Sequence, residues 1–237
     1  IIRKTMYRFS SLLANTWMKN NIFLIGDAAH LTPPFMGQGM CSGIRDAKNL
    51  AWKLDLVLKG VCDASLFSSY QIERYPHSET LIQMAVELGK VICVPSIEEA
   101  EKRDEQFIEG KVPPMPPMPG LVEGILYRDE DGQLKENSGR LSLQSFIRFN
   151  GNEGLFDNVV GRGWTLYTFA EEIENYLSAE QKDSLNTLGV NIAILSEVEK
   201  TGLIYDLNHK YKEFFDSNKM KAVLVRPDYY IFGSVEN

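Results

Sequence analysis

Residues 22–54 constrain the fold of this chain more than any other segment. Four apolar residues, 22–25, end at Gly26-Asp27, a loop rich in proline and glycine follows, and a helical pattern begins near Gly39. The apolar run predicts a strand buried on both faces, and a helix N-terminus attracts electron-rich groups. This order predicts a cofactor site in which Asp27 accepts hydrogen bonds from ribose or polyol hydroxyls. Plain Rossmann-type turns share the order, so both interpretations stay open.

Glycines and prolines shape the loop between this strand and this helix. Gly26 lets a ligand approach the backbone closely because it has no Cβ, and Pro33-Pro34 stiffens the turn. Gly37-Gln38-Gly39 is not the dinucleotide fingerprint G-x-G-x-x-G, because Ser42 stands where the third glycine is needed. That fingerprint occurs nowhere in the chain.

The residues of this segment resemble the second flavin-binding motif of the FAD-dependent aromatic hydroxylases, a group of flavoprotein monooxygenases. The resemblance is strongest to the branch that contains 3-(3-hydroxyphenyl)propionate hydroxylase and phenol hydroxylase. The matching residues near the start are Gly26-Asp27-Ala28-Ala29-His30, Pro33-Pro34, Gly37-Gln38-Gly39, Gly43, Arg45-Asp46-Ala47 and Asn49-Leu50-Ala51-Trp52-Lys53-Leu54. Those further along are Tyr70, Glu73-Arg74, Pro76-His77, Val225-Arg226-Pro227-Asp228 and Tyr230.

The resemblance implies a role for individual residues. Asp27 would bind the sugar-alcohol portion of FAD, residues 34–41 would lie against the isoalloxazine ring, and the N–H groups of Met40 and Cys41 would face its pyrimidine end. Relatives often carry Asn at position 41; the change to Cys is minor if the contact is made by the backbone, but alters flavin affinity or potential if a side-chain amide is needed. The residues implied to bind the cofactor are Gly26, Asp27, Pro34, Gly37, Gln38, Gly39, Met40 and Cys41.

Three further residues near this loop have two interpretations each. Phe35 and Met36 either border a pocket for an aromatic substrate or pack in the core. His30 is either a proton relay near the flavin or a hydrogen-bonded packing residue at the end of the strand. No residue of the chain is assigned a catalytic role.

The resemblance also implies a reaction. Such enzymes use NAD(P)H and O₂ to hydroxylate a small phenolic substrate through a flavin C4a-hydroperoxide. The fingerprint that holds the ADP half of FAD is missing here, so we expect the C-terminal part of a longer hydroxylase, inactive and without tight FAD binding by itself. The alternatives are a non-enzymatic assembly or dimerisation module that keeps the fold without the flavin, and a related flavoprotein that halogenates or epoxidises.

The sequence predicts an α/β chain in three parts. Residues 1–105 are the C-terminal remnant of a Rossmann-like FAD-binding domain, 106–124 a proline-rich extended linker, and 125–237 a second domain. In the first part we predict a helix over 39–59 and a helical stretch over 65–91 interrupted near Pro76. The apolar face predicted for the first helix consists of Ile44, Ala47, Ala51, Leu54 and Leu58.

The second domain shows a different order of elements. Strands are predicted over 163–169 and 190–195, with a helix capped by Ser178 between them and Gly189 at its end. A short helix over 207–215 and a hairpin around Pro227-Asp228 follow. This is the order of a thioredoxin-like fold, yet the domain has no cysteine, which excludes thiol–disulfide chemistry. Its expected use is structural, either against the FAD domain or in a homodimer.

Charge and cysteine content limit the other function classes. The net charge of −7, without a basic block, argues against nucleic acid and anionic membranes. No apolar run reaches the roughly 18 residues of a membrane span, and no signal peptide is apparent. Three scattered cysteines, Cys41, Cys62 and Cys93, indicate a reducing, cytoplasmic location. No His/Cys cluster has the spacing of metal ligands, so we expect no metal.

Overall fold

The computed structural model describes Ile2, residues 4–111 and residues 114–236. Ile1 and Arg3 of the predicted FAD-binding part, Val112 and Pro113 of the predicted linker, and Asn237 lie outside the described residues. The chain divides into two compact units. Unit 1 comprises Ile1–Ala47 and Arg74–Pro119, and unit 2 comprises Lys48–Glu73 and Gly120–Asn237. Two of the three boundaries between them, Ala47/Lys48 and Glu73/Arg74, fall inside helices.

The elements alternate between helices and short strands. The helices are α1 (Gly39–Leu58), α2 (Ser68–Ile92), α3 (Ile97–Ile108), α4 (Phe156–Val159), α5 (Ile173–Tyr176), α6 (Ala179–Thr187) and α7 (Lys210–Ser217). The strands of unit 1 are β1 (Leu12–Leu13), β2 (Met18–Lys19), β3 (Ile22–Phe23) and β4 (His30–Leu31). The strands of unit 2 are β5 (Phe146–Phe149), β6 (Asn152–Leu155), β7 (Thr165–Thr168), β8 (Asn191–Ser196), β9 (Ile204–Asp206), β10 (Met220–Val225) and β11 (Ile231–Glu236).

Unit 2 is built on one mixed sheet of seven strands in the order β11-β10-β7-β8-β9-β5-β6. β7 pairs in parallel with β8, and β8 with β9, whereas the remaining neighbours are antiparallel. Its main core contains Phe156, Tyr167 and Tyr211. Trp52 of α1 packs edge-on against Trp164 in a second cluster, with ring centroids 5.5 Å apart. The chain is therefore a mixed α/β protein.

Several local predictions are confirmed. The helix predicted over residues 39–59 is α1, and the strands and hairpin predicted in the second domain are β7, β8 and β10–β11. Ser178 caps α6 in a reciprocal capping box with Gln181, and Gly189 follows it in a left-handed conformation with φ 65°. The helix predicted over 207–215 begins later, at Lys210, after the left-handed His209.

The prediction of a fully buried strand over residues 22–25 is wrong. β3 contains two residues and pairs with β2, while Ile22 and Ile25 are 70% and 43% exposed. Asp27 consequently lies in a 3₁₀ turn, Gly26–Ala28, rather than at the end of the strand. Among the described residues, β3 pairs only with β2, so it is not part of a wider sheet.

The apolar face predicted for α1 is also wrong. Ile44 and Leu58 are 59% and 80% exposed, and Ala47 and Ala51 are exposed as well. The buried face of α1 instead consists of Ser42, Asp46, Asn49, Leu50, Trp52, Lys53 and Leu56. A polar helix face can be buried when each group finds a partner, and the carboxylate and ammonium groups on this face do so within the chain.

The predicted interruption of the second helix does not occur. α2 runs through Pro76, although proline removes one backbone hydrogen bond. Glu73, Arg74 and His77, on the adjoining turns, are all buried. Glu73 and Arg74 also form buried ion pairs, so this part of α2 is anchored by side chains next to the missing backbone bond.

No single helix among the described residues is long and apolar enough to cross a membrane. One bent pair, Ala64–Ile92 with Ile97–Ile108, passes that test by length and composition only.

Candidate functional site

The turn that carries Asp27 is packed backbone to backbone onto α1. Gly26 is left-handed with φ 56°, and its carbonyl accepts the N–H of Ala29 at 2.8 Å. A Cβ added at Gly43 would lie 3.2 Å from the Cα of Gly26, so a larger residue at position 43 would have to push the turn away slightly. Asp27, next in the chain, is exposed. The packing therefore fixes the turn and leaves the Asp27 side chain facing solvent.

Asp46, one turn beyond Gly43 on α1, is the buried acid at the centre of this region. Its Oδ2 accepts the N–H of Gly26 at 3.0 Å and lies 2.6 Å from Nε2 of His30. Its Oδ1 accepts Nε of Arg74 at 2.8 Å. Burial would raise the pKa of Asp46, but the hydrogen bond with His30 and the charge of Arg74 hold it below its ordinary value.

His30 therefore has the acid partner that the sequence interpretation lacked. The imidazole is buried and stacks obliquely on Trp17, with centroids 5.4 Å apart. Its Nδ1 and the Nη1 of Arg74 are buried and have no hydrogen-bond partner among the described residues. Asp46 was missed as a functional candidate because no local pattern links it to His30. The only signal was its place in the motif Arg45-Asp46-Ala47.

A second histidine in unit 1 is held neutral. Burial, together with the positive charges of Arg74 and Arg45, lowers the pKa of His77 to about 3. His77 is thus uncharged at neutral pH, and the fixed charges of this region come from Asp46, Arg45 and Arg74.

The loop before α1 exposes backbone donors at the start of the helix. Residues Pro34–Met36 form a 3₁₀ turn that ends at the left-handed Gly37 with φ 62°. The first hydrogen bond of α1 runs from the N–H of Ser42 to the carbonyl of Gln38 at 2.8 Å. The N–H groups of Gly39, Met40 and Cys41 precede that bond, so the helix itself supplies no acceptor for them.

The two aromatic-pocket candidates belong to the 3₁₀ turn of this loop. Phe35 and Met36 are half-buried, and the ring of Phe35 lies against Gly89 of α2. A Cβ at Gly89 would come within 2.5 Å of that ring. The structure thus brings Gly26 to Gly43 and Asp46, and brings Phe35 to α2.

A separate ionic network in unit 2 contains the other residues that carried the family resemblance. Arg226 donates to both oxygens of Glu73, at 3.0 and 2.6 Å, and to both oxygens of Asp228, at 3.0 and 2.7 Å. Lys53 and Asn49 of α1 donate to Oε2 of Glu73 at 2.8 and 2.7 Å. The side chains of Lys53, Glu73 and Arg226 are fully buried. This network joins the segment Lys48–Glu73 to the hairpin β10–β11.

The charges of this network depend on one another. Burial lowers the pKa of Lys53 to about 8, although Glu73 opposes the shift. Burial would raise the pKa of Glu73, but the charges of Arg226 and Lys53 hold it below its ordinary value. Two acids and two bases thus balance inside unit 2, and none of them faces solvent.

No group of three His, Cys, Asp or Glu side chains in the part of the chain that the structure describes is arranged to hold a metal ion.

Comparisons with known proteins match both ends of the chain. The family model of an FAD binding domain matches residues 1–85, and that of the HcaD C-terminal domain matches residues 139–237. A probable NADH-specific resorcinol 4-hydroxylase of Rhodococcus jostii is 34% identical over 235 residues, which are 98% of this chain and 43% of the relative. Over nearly all of its length the chain is similar to FAD-dependent aromatic hydroxylases. The resemblance found in its motifs is thereby confirmed.

A second hydroxylase shows a similar match. A 3-(3-hydroxyphenyl)propionate/3-hydroxycinnamic acid hydroxylase of Mycolicibacterium vanbaalenii is 31% identical and is matched by 99% of this chain over 45% of its own length. The chain spans less than half the length of the curated relatives it matches.

Solved structures show the same fold at lower sequence identity. The flavin-dependent monooxygenase PieE, crystallised with FAD and substrate, is 20% identical with a TM-score of 0.69, and the match covers 98% of this chain and 47% of PieE. Aklavinone-11 hydroxylase in a ternary complex with FAD and aklavinone is 21% identical with a TM-score of 0.69, covering 98% of this chain and 43% of that enzyme.

Proposed function

We propose that this chain provides the isoalloxazine-side loop and the C-terminal domain of an FAD-dependent aromatic hydroxylase. The observation that carries the proposal is the Gly26–Ala28 turn, which packs onto α1 and leaves the carboxylate of Asp27 exposed. This turn lies within the residues matched by the FAD binding domain. The names of the relatives, all hydroxylases of aromatic compounds, support the reaction class.

The residues present fit the flavin. A Cβ at Gly37 or Gly39 would meet nothing within 4 Å, so space lies in front of the loop. The N–H groups at the start of α1 are available donors, and a helix N-terminus favours negative charge. The residues proposed to hold FAD are Gly26, Asp27, Pro34, Gly37, Gln38, Gly39, Met40 and Cys41. Phe35 and Met36 are proposed to border the substrate.

Each part of the loop has one task in this proposal. The carboxylate of Asp27 accepts hydrogen bonds from sugar-alcohol hydroxyls, and the N–H groups of Met40 and Cys41 donate to the carbonyl side of the ring, where negative charge gathers on reduction. Cys41 contributes through its backbone, so the replacement of the frequent Asn has little effect. Phe35, fixed against Gly89, excludes water and orients the aromatic ring.

Bound FAD would supply the oxidation chemistry. The reductant NAD(P)H gives up a hydride, one atom of O₂ enters the phenolic ring, and the other leaves as water. The names of the relatives support a substrate with a phenol hydroxyl, and the NADH-specific relative supports NADH as the reductant.

We further propose that these 237 residues do not bind FAD tightly or turn over by themselves. They span less than half of the relatives' length. Large apolar side chains before α1 are also exposed, namely Ile2, Met6, Tyr7, Phe9, Leu12, Ile22 and Ile25. Exposed apolar side chains gathered in one segment are typical of a contact site, and we propose that the rest of a longer hydroxylase covers them.

The domain assignment of the sequence stays part of this proposal. It comprises an FAD-binding remnant over 1–105, a linker over 106–124 and a thioredoxin-like domain over 125–237. The order β8-β7-β10-β11, with β7 and β8 parallel and β10 and β11 antiparallel, supports the thioredoxin-like description. We also propose that this domain has a structural role, which includes contact in a homodimer. The free cysteines Cys41, Cys62 and Cys93 support a reducing, cytoplasmic location.

A flavin titration followed by fluorescence tests the proposal. The chain is compared with a longer protein that includes the preceding hydroxylase sequence, and each is made with Asp27→Asn. We expect the longer protein to bind FAD, the chain to bind weakly or not at all, and Asp27→Asn to weaken binding about tenfold or more. The control is Asp55→Asn, an exposed carboxylate of α1 paired with Lys59. If the longer protein does not bind FAD, the assembly-module alternative replaces the proposal.

A further inference from the structure

We propose that Asp46 is a positioning residue that holds the Gly26–Ala28 turn in place, so that Asp27 can meet the flavin. This inference rests on the proposed function. Asp46 is fully buried, and no part of it is open to a ligand. Any effect of Asp46 on a ligand must therefore pass through the groups it contacts.

The contacts of Asp46 lead to the turn. Its Oδ2 accepts the N–H of Gly26, the residue directly before Asp27, at 3.0 Å. The 3₁₀ turn that begins at Gly26 has no side-chain cap of its own, because Ile25 occupies its N-cap position. Asp46 therefore provides, from α1, a side-chain acceptor for the first N–H of this turn.

The same carboxylate is itself held from two sides. His30 approaches Oδ2 at 2.6 Å and Arg74 donates to Oδ1 at 2.8 Å, so both oxygens are fixed in direction. A charged acceptor fixed by two buried donors orients a third donor with little freedom. Gly26 is thus held in its left-handed conformation, and the Cα–Cβ direction of Asp27 is set with it.

Gly43 supports the same turn by a different physical effect. Its hydrogen atom faces the Cα of Gly26, and a Cβ there would lie only 3.2 Å away. Gly43→Ala therefore displaces the turn without changing any charge, whereas Asp46→Asn removes the charge and leaves the space unchanged. The two variants test the position of the turn independently.

A double-mutant cycle on FAD affinity separates positioning from general stability. In the longer protein, Kd for FAD is measured with Asp27→Asn, Asp46→Asn and both together. We expect each single variant to raise Kd about tenfold or more, and the double variant to resemble Asp27→Asn within about twofold, since Asp46 acts only through Asp27. The inference is overturned if the double variant raises Kd by the product of the two single effects, or if Asp46→Asn leaves Kd unchanged.

The matched control is Asp206→Asn. Asp206 is a buried carboxylate of unit 2 that accepts the N–H of Lys212 at 3.0 Å. It should leave Kd for FAD unchanged while lowering stability. If Asp46→Asn does not fold, Gly43→Ala replaces it in the cycle with the same expected non-additivity and the same refuting outcome.

A flavin-free readout distinguishes failure of this inference from failure of the proposed function. Amide hydrogen exchange of Gly26 is measured in the 237-residue chain without FAD. Asp46→Asn and Gly43→Ala should both speed exchange at Gly26 by about tenfold or more relative to Asp206→Asn. Unchanged exchange refutes the positioning role even if FAD binds. If the two variants speed exchange at Gly26 but the longer protein binds no FAD, the positioning role of Asp46 stands and only the proposed function is refuted.

Discussion

Replacement of Arg226 by methionine tests whether the buried ionic network holds unit 2 together. Arg226 makes five hydrogen bonds, two each to Glu73 and Asp228 and one to the carbonyl of Ile125. Methionine fills part of the volume but leaves two buried carboxylates with Lys53 as their only buried cation. Removal of one partner from a buried ion pair costs about 3–5 kcal/mol, because the remaining charge is left uncompensated.

That loss is large compared with the stability of a domain, which is about 5–15 kcal/mol. With a urea dependence of about 2 kcal/mol per molar, we expect the unfolding midpoint to fall by about 2 M. Fluorescence of Trp52 and Trp164, which pack together in unit 2, follows the transition.

Arg148→Met is the matched control for Arg226→Met. Arg148 pairs with Glu153 and Glu199 near the surface, where water screens ion pairs and they contribute little to stability. If both methionine variants lose the same small free energy of unfolding, below about 1 kcal/mol, the network does not stabilise unit 2 and the reasoning fails.

Two further predictions concern unit 2. Lys53 has a pKa near 8 in the folded chain against 10.5 in the unfolded chain, so the unfolded state binds more protons between these values and stability rises with pH across that window. Lys53→Met should abolish this rise, by about 1–3 kcal/mol in the difference of unfolding free energies between pH 7.5 and 10.5, and parallel pH curves for the two proteins would contradict the assignment. Gly139→Ala places a Cβ 1.9 Å from the carbonyl oxygen of Leu121 at φ 80°, whereas Gly132→Ala at φ 76° meets nothing within 4 Å. We expect Gly132→Ala to lower the free energy of unfolding by about 1 kcal/mol through left-handed strain alone, and Gly139→Ala to lower it by at least about 2 kcal/mol more. Equal shifts in the thermal unfolding midpoint would show that the clash at position 139 relaxes freely.

Elements with a local chemical signal could be predicted from the sequence. Ser178 and Gln181 stand at the spacing of a capping box, and the structure has both of its hydrogen bonds. The sequence also contains a signal for one more hairpin. Asn150-Gly151 lies between β5 and β6 with φ of 48° and 79°, the sequence and conformation of a type I′ hairpin turn.

The buried face of α1 could not be predicted, because its cause is not local. Hydrophobic periodicity places polar residues toward solvent, but Asp46 finds Arg74 28 residues later and Asn49 finds Asp228 179 residues later. Such partners become known only when the chain is folded. The same limit explains His30, whose acid partner lies on the following helix.

A family motif does not by itself assign a role to each of its residues. Asp27 and Glu73 both belong to the resemblance, and both are carboxylates. Asp27 is exposed on a turn, whereas Glu73 is fully buried and accepts Lys53, Asn49, Arg226 and the N–H of Ile125. Burial decides between the two roles, because a ligand can reach only the exposed acid while removal of the buried acid leaves cations unpaired. Asp27→Asn should therefore weaken the binding of a ligand while the free energy of unfolding stays nearly constant, and Glu73→Gln should lower the free energy of unfolding of unit 2.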